Sequence, residues 1–230
     1  MNKLSVIIPV YNENLDVLQK ILSIIYPDVD EIIVVDDGSD NPVRGTEHFR
    51  IIRHPLNKGY GAALKTGMRH AKNEYIGIID ADTQYDPAEL VDMWKSFTDE
   101  DMLIGRRVTH EGGWRRVLGR FGMNTLSSLA TLSLVKDVNS GMRIFKKSIA
   151  KSFVSILCDE FSFTASLTLS MILDGYRVRW VPIGYFPRKG AKSTVRILRH
   201  GLITLYQILI ITCALRTRRL RKWLRETPKN

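Results

Sequence analysis

The chain has 230 residues, of which 44% are hydrophobic and 25% charged, and its formal net charge is +10. These fractions exclude a disordered chain, and the length fits one ordinary domain with at most a small appendage. Two cysteines far apart, Cys158 and Cys213, provide neither a disulfide framework nor zinc-ligand spacing, and they fit a reducing cytosol. Basic residues are concentrated after Asp101, which favours polyanionic partners such as phosphorylated substrates, anionic lipids or nucleic acid.

The apolar segments alternate between strand-like and helix-like patterns. Short β-branched runs predict buried strands, whereas apolar residues three and four apart predict helices. In chain order these are strand 4–10, helix 15–26 ended by Pro27, strand 31–35, strand 49–53, a helix opening at 57–61 and strand 75–79. The alternation indicates right-handed βαβ units, so we predict an α/β fold with a mostly parallel, Rossmann-like sheet flanked by helices. The first strand is short and contains Pro9, so it does not match a signal peptide.

Two carboxylates and an amide follow the strand at 75–79. Asp80 and Asp82 are one residue apart, and Gln84 comes two residues later. Burying a carboxylate costs free energy unless it is paired with a positive group or bound to a cation. Oxygen ligands of this kind suit Mg²⁺ or Mn²⁺ held against a substrate phosphate. The segment therefore indicates a divalent-metal site. The alternative is a polar turn in which Asp82 or Asp86 caps the next helix.

Acidic residues follow three predicted strands: Glu13 after the first, 36–37 after the second and 80–82 after the fourth. Parallel strands bring these loops to one edge of the sheet, where open α/β folds bind ligands. Turn chemistry explains each loop alone, but their convergence favours a pocket for a nucleoside diphosphate with its cation. Gly59 and Gly61 would let backbone amides approach that ligand. Walker and Gly-x-Gly-x-x-Gly motifs are absent.

The chain resembles family 2 glycosyltransferases of the GT-A fold in four segments: 6–13 (VIIPVYNE), 35–39 (VDDGS), 57–62 (NKGYGA) and 80–84 (DADTQ). It also resembles the dolichyl-phosphate mannose synthase and polyprenyl-phosphate glycosyltransferase branch of that family. The segments that resemble this branch are 104–107 (IGRR), 137–143 (DVNSGMR), 175–178 (GYRV) and 181–183 (VPI). The likeness extends over about residues 4–196, with the motifs in order.

The resemblance implies a donor pocket and a metal site. The residues implied to bind the nucleotide sugar are Pro9, Tyr11, Glu13, Val35, Asp37, Lys58, Asp80 and Ala81. Among them, Pro9, Tyr11 and Glu13 would line the base and ribose pocket, with Val35 and Asp37 beside the base. Asp80, Asp82 and Gln84 would hold Mg²⁺ or Mn²⁺ against the diphosphate, where the metal acts as a Lewis acid on the leaving group. Asp82 is accordingly a catalytic residue.

The part after Asp101 predicts a strand at 102–105, followed directly by Arg106 and Arg107. Segment 114–135 combines Trp114 and several leucines with arginines, which suits a helix lying in a membrane interface. The alternative is a helix that packs on the sheet.

A polyprenyl monophosphate acceptor is already anionic, so it needs cationic positioning rather than a general base. Arg107 and Arg143 are predicted as catalytic phosphate or diphosphate contacts, because guanidinium groups bind such oxyanions in bidentate fashion. The alternative for either arginine is a surface ion pair.

Three further residues complete the predicted acceptor-phosphate site with Arg107. Ser140 lies in the 137–143 loop, and Arg188, a predicted catalytic residue, and Lys192 lie in a cationic loop after a strand predicted at 181–186. The spacing of that loop differs from the usual one in the family. A hydroxyl acceptor would instead need a base, for which Asp159 or Glu160 could serve.

Residues 201–215 are uncharged and largely apolar, and six basic residues follow between 216 and 225. Such a helix reaches about 22 Å, which is short of the ~30 Å hydrocarbon core. We predict a GT-A catalytic domain at 1–196 and, at 197–230, an apolar helix with a basic tail. This helix would associate peripherally, or by shallow insertion, with an anionic membrane surface on the cytoplasmic face. The alternatives are pairing with another protomer, giving a homo-oligomer, and a core helix with a solvated tail.

Together these features predict an inverting, metal-dependent enzyme that moves a hexose, mannose or glucose, from a GDP- or UDP-sugar to a polyprenyl phosphate. One rival is a family 2 enzyme that glycosylates a saccharide hydroxyl. Another is a non-catalytic nucleotide-sugar-binding or scaffold protein, against which the intact Asp80, Asp82 and Gln84 argue. No motif supports nucleic-acid binding.

Overall fold

The computed structural model describes residues 2–45, 49–108, 114–186 and 197–226, with their side chains except those of 114–116, 197–201 and 218–226. One sheet contains strands β1 Leu4–Val10, β2 Glu31–Asp36, β3 Arg50–Arg53, β4 Tyr75–Ile78, β5 Met102–Arg107, β6 Arg143–Lys146 and β7 Val178–Ile183. Their order across the sheet is β3-β2-β1-β4-β6-β5-β7.

The sheet is mostly parallel, as predicted. Strand β1 runs parallel to β2 and β4, β2 to β3, and β5 to β7, whereas β6 is antiparallel to both β4 and β5. Pro9 pairs with Val35 and Val10 with Asp36, so β1 and β2 end level with each other. The loops after these strands therefore start at one edge.

The helices are α1 Leu15–Ile25, α2 Tyr60–His70, α3 Pro87–Lys95, α4 Trp114–Thr131, α5 Lys147–Ser152, α6 Phe163–Leu173 and α7 Ile197–Glu226, with a 3-10 turn at Tyr26–Asp28. Asn14 caps α1, and Asp86 caps α3 by accepting from the N–H of Ala88, with Pro87 in the first turn. The helix cap at this edge is thus Asp86, one of the two residues that the polar-turn alternative named.

Two hydrophobic cores cover the faces of the sheet. Alternate residues of β1 point to opposite faces, so Ile7 packs with α2 and α6, whereas Val6 and Ile8 pack with α1 and α3. The first core also takes in Ile211 and Leu215 of α7. The sheet is therefore buried on both faces, as its near-continuous apolar strands require.

One strand differs from the sequence-based expectation. Strand β7 begins at Val178 and ends at Ile183, because its pairing with β5 starts at Met102, whereas the sequence suggested a strand at 181–186. Helix α7 packs one face against α6 and α4. Among the described residues, no helix is long and apolar enough to cross a membrane.

Candidate active site

The loops after β1 and β2 are hydrogen-bonded to each other. The N–H of Asn12 donates to Ser39 Oγ at 2.9 Å, and the N–H of Asp40 donates to Asn12 Oδ1 at 2.8 Å. Asn12 has a positive φ of 53°, a conformation that asparagine tolerates better than most residues. The predicted convergence of polar loops at the carboxyl edge is therefore confirmed for these two strands.

Asp36, the last residue of β2, and Asp37, which follows it, are both buried, and their oxygens bond to the protein itself. Asp36 pairs with Arg53 at 3.1 Å. Asp37 accepts from the N–H groups of Lys58 at 2.9 Å and Gly59 at 2.8 Å. Asp37 therefore fixes the turn that starts α2, and its contact with a donor base stays a prediction.

His54 is a residue of this region that sequence analysis missed. Its Nδ1 lies 2.7 Å from Asp37 Oδ1, and its Nε2 lies 3.0 Å from Thr66 Oγ1 on α2. All three side chains are buried. His54 thus ties the loop after β2 to α2. A single histidine after a short strand gives no sequence signal for such a contact.

Gly59 and Gly61 let α2 begin against the backbone of the 158–160 segment. Gly59 has a φ of 103°, and a Cβ there would lie 2.5 Å from the carbonyl oxygen of Asp159. A Cβ at Gly61 would lie 2.2 Å from the carbonyl oxygen of Cys158. These glycines therefore serve chain packing, rather than the approach of a ligand that their position in the sequence suggested.

Asp80, just beyond β4, is fixed on both of its carboxylate oxygens. The hydroxyl of Tyr60 donates to Oδ1 at 2.8 Å. On the other side Gly141 lies so close that a Cβ there would be 2.1 Å from Oδ2. The N–H of Gly141 donates in turn to the hydroxyl of Tyr85 at 2.9 Å. Helix α2 and the loop before β6 therefore both position this carboxylate.

The two carboxylates oppose each other's ionisation. Burial and the charge of Asp82 raise the pKa of Asp80 to about 7, while the hydrogen bond from Tyr60 and the charges of Arg107 and Arg143 act in the opposite direction. A divalent cation beside both carboxylates would instead lower the pKa of Asp80. No group of three or more His, Cys, Asp or Glu side chains forms a complete cage within the described part of the chain. Carboxylate oxygens are the kind of ligand that Mg²⁺ and Mn²⁺ prefer, and these ions take further oxygen ligands from substrate phosphates and water.

The raised pKa of Asp80 predicts a pH-dependent stability in the presence of a chelator. The folded protein holds this proton up to about pH 7, whereas an unfolded aspartate releases it near pH 4. The free energy of unfolding is therefore expected to fall between about pH 4 and pH 7 through this group. Thermal melts of wild type and Asp80→Asn in EDTA test this: the Tm advantage of the variant should be larger at pH 8 than at pH 5. An advantage independent of pH would contradict it.

Tyr60 connects this carboxylate to the loop after α5. Its ring stacks on Phe161 with centroids 5.3 Å apart and planes within 3° of parallel. In Tyr60→Phe the ring is expected to stay in place while the hydrogen bond to Asp80 is lost. Because hydrogen bonds to charged groups are worth about 1.5–3 kcal/mol, Mn²⁺ affinity in the presence of nucleoside diphosphate should fall about tenfold or more.

Titration calorimetry measures this affinity, with Tyr206→Phe on the exposed surface of α7 as the matched control. Unchanged Mn²⁺ affinity in Tyr60→Phe would show that the hydroxyl does not position Asp80.

Arg107, the last residue of β5, forms a two-point ion pair with buried Asp137. Its Nε donates to Oδ2 at 2.8 Å and its Nη2 to Oδ1 at 2.7 Å. Its guanidinium carbon lies 5.1 Å from the ring centroid of Tyr185, which packs edge-on against Tyr85. Arg107 also lowers the pKa of Asp80, so a fixed cation stands in the electrostatic field of the carboxylate pair.

Arg143 and Ser140 are both completely buried. The Nη1 of Arg143 donates to the carbonyl oxygen of Thr164 at 2.8 Å and to Thr168 Oγ1 at 3.0 Å, and its Nη2 donates to the carbonyl oxygen of Ser140. Burial lowers the pKa of Arg143 to about 10. The direct phosphate contact predicted for Arg143 does not fit this arrangement, because its guanidinium instead ties the 140–143 loop to α6.

The other predicted donor residues lie on the same edge of the sheet with different degrees of exposure. Buried are Pro9, Val35 and Ala81; Glu13 is half-buried; Tyr11 and Lys58 are exposed. The N–H of Gln84 donates to Asp82 Oδ1 at 3.0 Å, and its side-chain Nε2 lies 3.4 Å from the carbonyl oxygen of Phe186. Arg188 and Lys192 lie outside the described residues.

The two candidates for a general base lie in the loop before α6. Asp159 is in an ion pair with Lys65 at 2.8 Å. Glu160 is exposed, next to Phe161 that stacks on Tyr60. The ion pair thus holds the Asp159 carboxylate on the side chain of Lys65.

Comparison with known proteins places this geometry in context. The family model described as "Glycosyl transferase family 2" matches residues 5–153. An uncharacterized protein of Methanocaldococcus jannaschii is 29% identical over 196 residues, which cover 79% of this chain and 81% of that protein. The dolichyl-phosphate beta-glucosyltransferase of Saccharomyces cerevisiae is 27% identical over 233 residues, which cover 84% of this chain and 70% of the yeast enzyme. A dolichyl-phosphate beta-glucosyltransferase of Trichomonas vaginalis is also 27% identical, and the match covers 54% of its length.

Among solved structures, glucosyl-3-phosphoglycerate synthase from Mycobacterium tuberculosis is similar to this chain. Its complex with Mn²⁺, UDP-glucose and phosphoglyceric acid superposes with a TM-score of 0.72 at 20% identity, covering 92% of this chain and 80% of that one. At this identity the likeness concerns the fold alone, and it confirms the GT-A type of α/β architecture predicted from the sequence.

Proposed function

The chain belongs to glycosyl transferase family 2, and from this premise we propose that it transfers a hexose from a nucleotide sugar to a polyprenyl monophosphate, inverting the anomeric centre. The observation that carries the proposal is the fixed Arg107 cation in the field of the Asp80–Asp82 pair. The similarity to dolichyl-phosphate beta-glucosyltransferases supports the lipid phosphate acceptor and favours glucose, with mannose as the other hexose implied by the resemblance.

The donor, a GDP- or UDP-sugar, would lie along the loops after β1, β2 and β4. Pro9, Tyr11 and Glu13 would line the base and ribose pocket beside Val35. The carboxylate of Asp37 accepts hydrogen bonds from the backbone N–H groups of the turn at 57–60. This turn would place Lys58 near the phosphates of the donor. Fixing this turn before the donor arrives lowers the ordering cost of binding.

The diphosphate of the donor would meet Asp80, Asp82 and Gln84 through a divalent cation, Mg²⁺ or Mn²⁺. When bound, such a cation stabilises the negative charge that develops on the departing nucleoside diphosphate. Tyr60 and Gly141 keep Asp80 in one position, so no reorganisation is needed when that charge appears.

The acceptor phosphate oxygen would form the new bond to the anomeric carbon while the bond from that carbon to the diphosphate breaks. Arg107, held by Asp137, would orient the acceptor phosphate. Arg188, Lys192 and Ser140 are proposed as further acceptor contacts. A phosphate monoester is ionised at pH 7, so this step needs no general base.

A polyprenyl acceptor places the reaction at a membrane surface. We infer that the enzyme works on the cytoplasmic face, where nucleotide sugars are available, with residues 1–196 as the catalytic domain. Residues 197–230 would then associate with the membrane. Because α7 packs on α6 and α4, this segment would also support the catalytic domain.

A pair of acceptors tests the proposed reaction. Purified protein with Mn²⁺ and donor would be given a short polyprenyl phosphate or the matching polyprenol, whose hydroxyl is neutral. Product is expected with the phosphate only, and Glu160→Gln should keep the activity. Transfer to the polyprenol or to soluble saccharides, abolished in Glu160→Gln, would contradict the proposal and establish the hydroxyl-acceptor rival.

A further inference from the structure

The side chain of Asn124, on α4, bonds the backbone on both sides of Asp137. Its Nδ2 donates to the carbonyl oxygen of Lys136 at 2.8 Å, and its Oδ1 accepts from the N–H of Val138 at 3.1 Å. A carboxamide presents a donor and an acceptor side by side, so it satisfies both backbone groups at once. A reversed amide would place its nitrogen against an N–H and its oxygen against a carbonyl group. The two backbone partners therefore fix the orientation of the amide.

A serine one turn further along α4 adds a second tie to the same segment. Ser128 Oγ accepts from the N–H of Val135 at 3.0 Å and donates to the carbonyl oxygen of Asn124 at 2.8 Å. Positions four residues apart lie on one face of a helix. Val135 and Val138 are both buried in the first hydrophobic core. Segment 135–138 is therefore held both by the core and by two side chains of α4.

Asp137, between the two backbone groups that Asn124 binds, holds Arg107. Asp137 is buried. Its carboxylate accepts from the backbone N–H of Arg107 at 3.1 Å and from Nε and Nη2 of the same residue at 2.8 and 2.7 Å. A two-point pair between a carboxylate and a guanidinium group fixes the relative orientation of both groups. The backbone position of Asp137 therefore sets the direction in which the guanidinium group of Arg107 points.

Loss of the Asn124 amide is expected to shift this ion pair rather than to separate it. Separation would leave a buried carboxylate without a positive partner, which costs more than a small movement of the loop. Without the amide, the peptide groups beside Asp137 are free to move and to turn the guanidinium group with them. Binding constellations must be held to within about 0.5 Å to work well, so a small movement is enough to impair the binding of a phosphate.

We propose that Asn124 is a positioning residue for the acceptor: it fixes the backbone at Asp137 and, through the ion pair with Arg107, the direction of the guanidinium group. The inference rests on the proposed function, in which Arg107 orients the acceptor phosphate. Substitution of Asn124 is therefore expected to act on the acceptor, while the loops after β1, β2 and β4 continue to bind donor and metal.

Asn124→Leu tests the proposal, because it removes both hydrogen bonds while the side chain stays close in volume and the net charge is unchanged. The KM for a short polyprenyl phosphate is expected to rise about tenfold or more, with a smaller change in kcat, since two hydrogen bonds are lost and a phosphate contact is displaced. The affinity for nucleoside diphosphate with Mn²⁺, measured by titration calorimetry without acceptor, should equal that of wild type. Circular dichroism and Tm would show that the variant is folded; if it is not, Asn124→Ala is measured with the same expectation.

Two other substitutions on α4 separate positioning from general support of the loop. Ser128→Ala leaves a backbone N–H of the loop without its partner, so it should lower the Tm about as much as Asn124→Leu. The two peptide groups that Asn124 binds stay bonded in this variant, so its acceptor KM should remain near that of wild type. Thr125→Val is the neutral control, since Thr125 is exposed and its hydroxyl bonds the carbonyl oxygen of Phe121 within the helix. Both its Tm and its acceptor KM should be unchanged.

An acceptor KM of Asn124→Leu equal to that of a wild type that does transfer to polyprenyl phosphate would overturn the proposal and leave the proposed function standing. Equal rises of the acceptor KM in Asn124→Leu and Ser128→Ala would also overturn it, because the loss would then follow the stability of the loop and not the position of Arg107. A wild type that transfers sugar only to a polyprenol or a saccharide would sink the proposed function itself, and the role assigned to Asn124 with it.

Discussion

Asp82→Asn is expected to abolish sugar transfer, by about a thousandfold or more, while the fold remains intact. Asp82 lies two residues beyond Asp80 at the carboxyl edge of β4, and its charge raises the pKa of Asp80. The amide keeps the shape of the side chain but removes the charge that, in the proposed function, would hold a divalent cation against the donor diphosphate. Metal stabilisation of a leaving group is worth several kcal/mol, which corresponds to this loss. Release of GDP or UDP in the presence of Mn²⁺ measures the effect.

Asp86→Asn is the matched control for this substitution. Asp86 lies in the same loop, is exposed, and caps α3 through its Oδ1. Asparagine caps helices about as well as aspartate, so both activity and Tm should stay near those of wild type. If Asp82→Asn retained more than about a tenth of wild-type turnover, Asp82 would not hold an essential cation.

Gly141→Ala is expected to reduce transfer by about a hundredfold and to lower the Tm. A methyl group at this position would lie 2.1 Å from Asp80 Oδ2, closer than any non-bonded contact allows. Gly141 is buried and its N–H is bonded to Tyr85, so the backbone has little room to move and Asp80 must turn away. A displacement of about 1 Å in a reacting constellation costs about this much rate. Steady-state kinetics over a range of Mn²⁺ concentrations would separate weakened metal binding from slower turnover.

Gly122→Ala provides the control for Gly141→Ala. A Cβ at Gly122 meets no atom within 4 Å, and the residue lies inside α4. Alanine there should stabilise the helix by about 0.5–1 kcal/mol and leave donor turnover unchanged. Equal activities of the two variants would show that Gly141 has no special relation to Asp80.

The sheet and the edge at which Asp80 and Asp82 lie could be predicted from the sequence because both depend on local patterns. The apolar runs ending at Val10, Val35 and Ile79 identify strands, and parallel strands necessarily bring the residues that follow them to one edge. The pair Asp80 and Asp82 stands out because two acidic residues with one residue between them, directly after a buried strand, need a partner.

The residues that position these carboxylates could not be predicted in this way. Tyr60 and Gly141 meet Asp80 from positions 20 and 61 residues away in the chain, and only the packing of α2 and the antiparallel β6 brings them together. Arg143 was misassigned for a related reason. Arginine is usually exposed, and nothing in the sequence shows that α6 offers a carbonyl group and a hydroxyl to its guanidinium.

Lipid-dependent release of nucleoside diphosphate is the most direct measurement of what this enzyme does. Purified protein with Mn²⁺ would be incubated with each of a panel of GDP- and UDP-hexoses, with and without a short polyprenyl phosphate. We predict release from one donor that depends on the lipid phosphate and yields a polyprenyl-phosphate hexose by mass spectrometry. Release that is the same with and without the lipid, for every donor, would contradict polyprenyl phosphate as the acceptor.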